Sequence, residues 1–183
     1  MTTKTNISPD PFEALKKKWH HSNIMQMPRI TKIVLSAGIG SIKDKKKIEL
    51  VSDRLTRIAG QKVVTKGAKK SIASFKVRQG DPVGYEVTLR GKRMHGFLLK
   101  LLNVTLPRTR DFRGLQESSV DEMGNLTIGI REHTIFPETV DEDLKDVFGL
   151  AVTLVSSARN REEALDYFKA IGFPFGKSYK VEK

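Results

Sequence analysis

The chain has 183 residues, 38% of them hydrophobic, which suffices for one domain with a real core or for two small ones. Lysine and arginine number 33 against 21 acidic residues, a net charge of +12, and no apolar run approaches the roughly 18 residues of a membrane span. Cysteine is absent, which excludes disulfides and thiolate metal sites and fits a reducing compartment; the opening MTTKTNISPDPFEALKKKWHH lacks the apolar block of a secretory signal.

In chain order, FEALKKKWHH after Pro11 predicts a short helix over 11–21 with a basic outer face. Its N-cap is Ser8 or Asp10, with Glu13 in the first turn. Pro28 then favours extended chain around Met27. RITKIVLSAGIG predicts a strand, with Ile33, Leu35, Ala37 and Ile39 on one face and Val34, Ser36 and Gly38 on the other. Ile48, Val51, Leu55 and Ile58 recur at helical spacing, and Gly60 is the expected C-cap. KVVT is a short strand. After the segment 68–82 comes the cleanest alternation, Val83, Tyr85, Val87 and Leu89 against Gly84, Glu86, Thr88 and Arg90. Such a strand is half-buried, as in an antiparallel sheet with one open face.

From Lys92 onward, Met94, Phe97, Leu98, Leu101 and Leu102 form a core-facing helical stripe, and LPRTRDFRG is expected to be a loop. LTIGIRE alternates again, and GLAVTLVSSA reads as a more continuously apolar, central strand. A last helix is expected between Asn160 as N-cap and Gly172, with Glu163 three residues in and Ala164, Leu165, Phe168 and Ile171 as its stripe. No repeat, low-complexity tract or long linker interrupts the chain. The expected fold class is α+β, one domain over 1–183, an antiparallel sheet with helices packed on one face and the other face open.

The charge is unevenly spread. Residues 1–114 carry 25 basic and 8 acidic side chains, whereas residues 115–183 carry 8 and 13. That asymmetry favours a polyanion at one end of the molecule, because neutralised phosphates release condensed counterions. Nucleic acid is the first candidate and an anionic membrane surface the second, though no basic amphipathic helix dominates. A merely basic protein without such a partner is the plain alternative.

Motifs for catalysis are missing. AGIGSIKDKK has a G-x-G after a strand, but Lys43 stands where the third glycine of a dinucleotide site belongs, and no acid follows at the required spacing. Gly38 and Gly40 instead let the chain leave the sheet or let an RNA backbone approach it. His20 and His21 are adjacent and so do not share a ligand, and His95 beside Arg93 reads as solvated or phosphate-facing. DEDLKD, residues 141–146, lacks the glycine and terminal glutamate of a calcium loop. Neither an enzyme, a metal nor a cofactor is expected.

Three basic clusters remain. Lys66, Lys69, Lys70, Lys76 and Arg78 form the first. Arg90, Lys92 and Arg93 form the second, where a strand's polar face meets a helix. Arg108, Arg110 and Arg113 around Phe112 form the third. Arginine forks mixed with lysines and occasional aromatics suit an irregular RNA surface of phosphates and splayed bases. A DNA reader would need a recognition helix or a known motif, and none is visible.

The stretches GQKVVTKGAKKSIASFKVRQGDPVGYEVTLRG, LPRTRDFRGL, IFPE and FPFGK resemble the bacterial-type family of large-subunit ribosomal protein number five, from about Asn23 to Lys177. The resemblance implies a structural constituent of the large ribosomal subunit that binds 5S ribosomal RNA in the central protuberance. It also implies 23S-type RNA and large-subunit proteins as neighbours. A basic loop over about 67–82, mobile in the free protein, would touch the elbow of peptidyl-site tRNA, and a bridge would reach a head protein of the small subunit. A cytoplasmic ribosome follows, or the stroma or matrix of an organelle.

By position, the family's RNA-contacting polar residues fall on Ser36, Gln61 and Thr88, to which the basic clusters add Arg90, Lys92, Arg93, Arg108, Arg110 and Arg113. The tRNA-contacting loop would use Lys69, Lys70, Ser71, Phe75, Lys76 and Arg78, with Ile72 and Phe75 packing on the loop's own base or on the RNA elbow. Ser36 stands where relatives usually carry asparagine, Ser74 where they carry glycine, and DEMGNL where DGRGNY is common. The small-subunit contact is assigned to the acidic stretch 138–146, whose partner would be basic.

Overall fold

The computed structural model describes residues 15, 16, 18, 19, 23–40, 42, 44–110, 112–139 and 147–176. Wherever apolar residues alternate with small or polar ones, a strand forms: β1 (Ile30–Gly38), β2 (Val64–Gly67), β3 (Pro82–Leu89), β4 (Leu126–Ile130) and β5 (Leu150–Ser156). They make one antiparallel sheet in the order β2-β3-β1-β5-β4, and the fold is α+β as expected. GLAVTLVSSA is an interior strand, but the middle of the sheet is β1.

Helix α1 (Lys45–Ala59) begins at Asp44, whose carboxylate accepts from the Lys46 amide at 3.0 Å. It ends at Gly60, in the left-handed conformation with φ 63° that a side chain disfavours. Helix α2 (Gly91–Lys100) runs on through a π-helical stretch, Leu101–Thr105, into a helical turn at Leu106–Arg108. The expected loop therefore starts three residues later than LPRTRDFRG suggested. Pro107 fits because it lies in the first turn after the wide stretch, where no amide of its own is needed. Helix α3 (Arg161–Ile171) follows Asn160 and stops at Gly172, but the asparagine side chain makes no capping bond. Instead the Glu163 carboxylate turns back to accept from the Arg159 amide at 2.9 Å. The buried face of α3 is Glu163, Ala164, Tyr167 and Phe168, while Leu165 and Ile171 are half-buried, so the predicted stripe is rotated.

Residues 15, 16, 18 and 19 are helical; the rest of the expected first helix, its caps, His20, His21 and residues 140–146 lie outside the described residues. Contacts divide the chain into two compact units.

The first unit comprises residues 1–31, 110–128 and 154–183. Its core holds Leu126, Leu154, Ala164, Phe168 and Phe173, with the last two rings edge to face at 5.5 Å. Asp166 receives the Trp19 indole N–H at 2.9 Å and pairs with Lys18 at 2.6 Å. Residues 113–115 lie parallel to the FPFG segment: the Leu115 amide donates to the Pro174 carbonyl at 2.7 Å, and the Gly176 amide to Leu115 at 3.0 Å. Lys169 bonds Glu117 at 2.7 Å, and this hydrogen bond and charge hold the Glu117 carboxyl below its usual pKa.

The second unit comprises residues 32–109 and 129–153. Ile33, Leu35 and Ala37 of β1 and Tyr85, Val87 and Leu89 of β3 turn to a core shared with Val51, Leu55 and Ile58 of α1 and Met94 and Phe97 of α2. Their neighbours in sequence face away, leaving one side of these strands uncovered by helix. His133 is fully buried, stacked on Phe148 at 4.2 Å, and its Nδ1 accepts from the Phe148 amide at 3.3 Å. That is a packing role.

Candidate nucleic-acid interface

The uncovered face of β1 and β3 follows from a period of two. The register pairs Val34 with Thr88, Ser36 with Glu86 and Gly38 with Gly84, so small and polar residues line one side of the ladder. The Ser36 and Thr88 hydroxyls have no hydrogen-bond partner among the described residues. Directly opposed and diagonal neighbours on such a face stand about 5 and 7–8 Å apart, close enough to meet one nucleotide.

Gly60 turns the chain back after α1 and brings Gln61 to the β3 backbone at Thr88. Its Nε2 donates to the Thr88 carbonyl at 3.4 Å, and its Oε1 accepts from Arg93 Nη1 at 3.3 Å. The amide is thereby oriented, with Arg93 held beside Thr88. Arg90 is extended and exposed at the N-cap of α2, followed by Gly91 at φ 57°. Lys92 and Arg93 sit in the first turn of α2, which has no acidic residue. Cations there oppose the helix dipole, so they do not serve the helix's own stability. Gln61, Thr88, Arg90, Lys92 and Arg93 thus come together. Arg108 closes the helical turn in the second unit, whereas Arg110 and Arg113 belong to the first; all three are exposed.

The first cluster is less uniform than its sequence. Lys66 pairs with Glu86 across the strands at 3.1 Å, which neutralises the acid on the polar face and occupies the lysine. The segment 68–81 is an internally bonded extension of the β2–β3 hairpin. Ala68 donates to Asp81 at 2.8 Å and Gly80 to Ala68 at 3.0 Å, Ile72 and Val77 exchange backbone bonds, and residues 73–75 make a 3-10 turn. Ser71 Oγ accepts from the Gln79 amide at 2.9 Å, and Asp81 accepts from the Arg78 amide at 2.8 Å, so Ser71 has a structural duty. Lys69, Lys70, Lys76 and Arg78 are exposed. Phe75 is 72% and Ile72 46% exposed, so neither packs on the loop's own base.

The DEMGNL segment is a tight turn in which Asp121 accepts from the Asn125 backbone and side chain at 2.6 and 2.9 Å. Leu126 at its end is fully buried and cannot meet RNA, while Met123 is exposed. No cluster of metal-ligating side chains occurs among the described residues, and no helix there is long and apolar enough to cross a membrane.

Residues 23–78 match the family model described as ribosomal protein L5, and residues 82–175 match the model of the C-terminus of the same ribosomal family. The chain belongs to the ribosomal protein L5 family. It is 49% identical over 162 residues to the large ribosomal subunit protein uL5 of Halothermothrix orenii, covering 88% of this chain and 90% of that protein. The uL5 proteins of Colwellia psychrerythraea and Desulfatibacillum aliphaticivorans are each 46% identical, covering 89% and 96% of this chain and 91% and 99% of theirs. The chain is accordingly a structural constituent of the large ribosomal subunit, associated with ribosomal RNA and ribosomal proteins, and not an enzyme. The two family models meet at residues 78–82, inside the basic hairpin extension. Sequence reasoning reached the polar face through alternation, but it did not reveal the Lys66–Glu86 pair, which depends on strand register.

Proposed function

We propose that the chain, acting as a single RNA-binding domain in the cytoplasmic ribosome, holds 5S ribosomal RNA in the central protuberance. Ser36, Gln61 and Thr88 present hydrogen-bonding groups to sugars and base edges, while Arg90, Lys92, Arg93, Arg108, Arg110 and Arg113 neutralise phosphates of 5S and adjoining 23S-type RNA. The observation that carries this reading is the Gln61 amide held between the Thr88 carbonyl and Arg93, at a strand whose polar face carries the Thr88 hydroxyl with Ser36 diagonal to it on β1. The hairpin extension offers Lys69, Lys70, Ser71, Phe75, Lys76 and Arg78 to the elbow of peptidyl-site tRNA, with Phe75 free to stack on a base. The acidic stretch from Glu138 faces a basic head protein of the small subunit, although Glu138 itself is engaged by Lys100 at 2.6 Å.

The test is 5S RNA binding by purified variants. Thr88→Ala with Arg90→Ala weakens binding much more than Lys70→Ala with Lys76→Ala; equal losses would remove the division between sheet face and loop. In high-salt gradients the protein sediments with large subunits. A protein that washes off would be an RNA chaperone instead.

A further inference from the structure

Two glycines on the polar face of the second unit have no reason in the fold. Gly38 of β1 and Gly129 of β4 lie within strands, where glycine weakens the structure because it packs no side chain and has the most backbone freedom to lose. Neither has a positive φ. A Cβ built on either would meet no atom within 4 Å. By contrast, Gly84 and Gly149 are held bare by close approach, to the Ala37 carbonyl at 3.1 Å and the Ile130 carbonyl at 3.2 Å.

These residues share one place. Ser36, Gly38, Gly129, Arg131, Gly149 and Ala151 line a shallow concavity of about 450 Å³. Ile130 and Leu150 complete the lining, their side chains buried. Arg131 stands at its rim, exposed and without a carboxylate partner among the described residues.

We propose that this concavity is a docking subsite for an RNA sugar–phosphate backbone, with Gly38 and Gly129 kept bare so that the strand lies directly on the sheet and with Arg131 binding a phosphate. Charge complementarity selects the occupant. The second unit, residues 32–109 and 129–153, carries 20 basic and 11 acidic side chains, and Glu86, the acid on the β3 polar face, is already paired with Lys66. The inference rests on the sheet-face reading above, through Ser36, and extends it to β4 and to a residue outside the three basic clusters.

The test uses the full-length protein and 5S ribosomal RNA, with Gly38→Val, Gly129→Val, Gly38→Ala, Gly129→Ala and Arg131→Ala compared with Thr88→Ala. Valine suits a strand, so thermal unfolding should show the glycine variants at least as stable as the parent. RNA affinity should fall about tenfold for each valine variant, less for alanine. Arg131→Ala should also lower the slope of log K against log salt by about one. If folded glycine variants and Arg131→Ala bind like the parent while Thr88→Ala is weakened, the subsite is wrong and the sheet-face reading stands. If every variant binds like the parent, or the parent does not bind, both are wrong.

Discussion

Lys100 and Glu138 form an ion pair of 2.6 Å, and the same ammonium donates to the Ile58 carbonyl at 2.9 Å near the end of α1. It also lies 5.3 and 5.8 Å from the Phe97 and Phe136 ring centres. One side chain therefore ties α1, α2 and the 137–139 turn of the second unit. Lys100→Met retains the apolar stem but leaves Glu138 and the Ile58 carbonyl without their donor. It should cost about 2 kcal/mol, lowering Tm by roughly 4–8 °C in thermal unfolding. Glu138→Gln should cost less than half of that. An unchanged Tm for Lys100→Met would show that the ammonium does not join these elements.

A pH dependence follows from Tyr167. Burial raises its phenol pKa above 10.0, only partly countered by the Ile30 amide, which donates to its oxygen at 3.3 Å. Above about pH 10 the unfolded chain loses this proton before the folded one does, so the unfolded state binds fewer protons and stability falls as pH rises. The contribution is complete below the unfolded pKa and is lost through the folded one. Tyr167→Phe should be about 1 kcal/mol less stable at neutral pH and should lose stability less steeply between about pH 10 and 12. Parallel curves for the two proteins, from urea melts across that range, would contradict this.

What was legible in the sequence tracks how local its cause is. The alternation of β3 and the stop at Gly60 depend on neighbouring residues, and both are legible there. The face of α3 was rotated because Tyr167 turns its ring inward, a choice fixed by the Ile30 amide far away in sequence. The π-helical stretch shifts each bond by one residue without changing any side chain, so no pattern announces it. The site divides similarly. Thr88 stood out on the polar face, but the orientation of Gln61 depends on Arg93, and the occupation of Lys66 depends on a partner two strand positions from its own register mate.

The hairpin extension should loosen without global unfolding when Asp81 is changed. Its carboxylate accepts from Arg78, its amide donates to the Arg78 carbonyl, and its carbonyl receives Ala68. Asp81→Ala removes only the first bond, at an exposed position, so Tm should move by less than about 2 °C. Amide exchange at residues 71–79 should accelerate severalfold. Unchanged exchange would mean that the backbone bonds alone hold the turn.

Salt should report the phosphate contacts. If Arg90, Lys92, Arg93, Arg108, Arg110 and Arg113 each neutralise one phosphate, log K for 5S RNA should fall against log salt with a slope of about −4 to −5. Between about 50 and 200 mM salt, affinity should drop several hundredfold or more. A slope near zero would remove the electrostatic part of the proposed interface.

Gly114 offers a contrast with the bare glycines of the sheet. It has φ 100°, and an added Cβ would run into the backbone of Phe175 and Gly176, which lie against residues 113–115. Gly114→Ala therefore meets both backbone strain and a collision that no side-chain rotation relieves. It should cost about 2–4 kcal/mol and free the FPFG segment, exposing the Leu115 and Gly176 amides to exchange. Phe173, buried against Phe168, should then lose its packing, detectable as altered aromatic NMR shifts. Gly129→Ala, whose Cβ meets nothing, should leave both amides protected and Tm no lower than the parent's. If the two alanine variants were equally stable, the crossing of residues 113–115 with the C-terminal segment would not be the contact that holds the arginine-bearing turn in place.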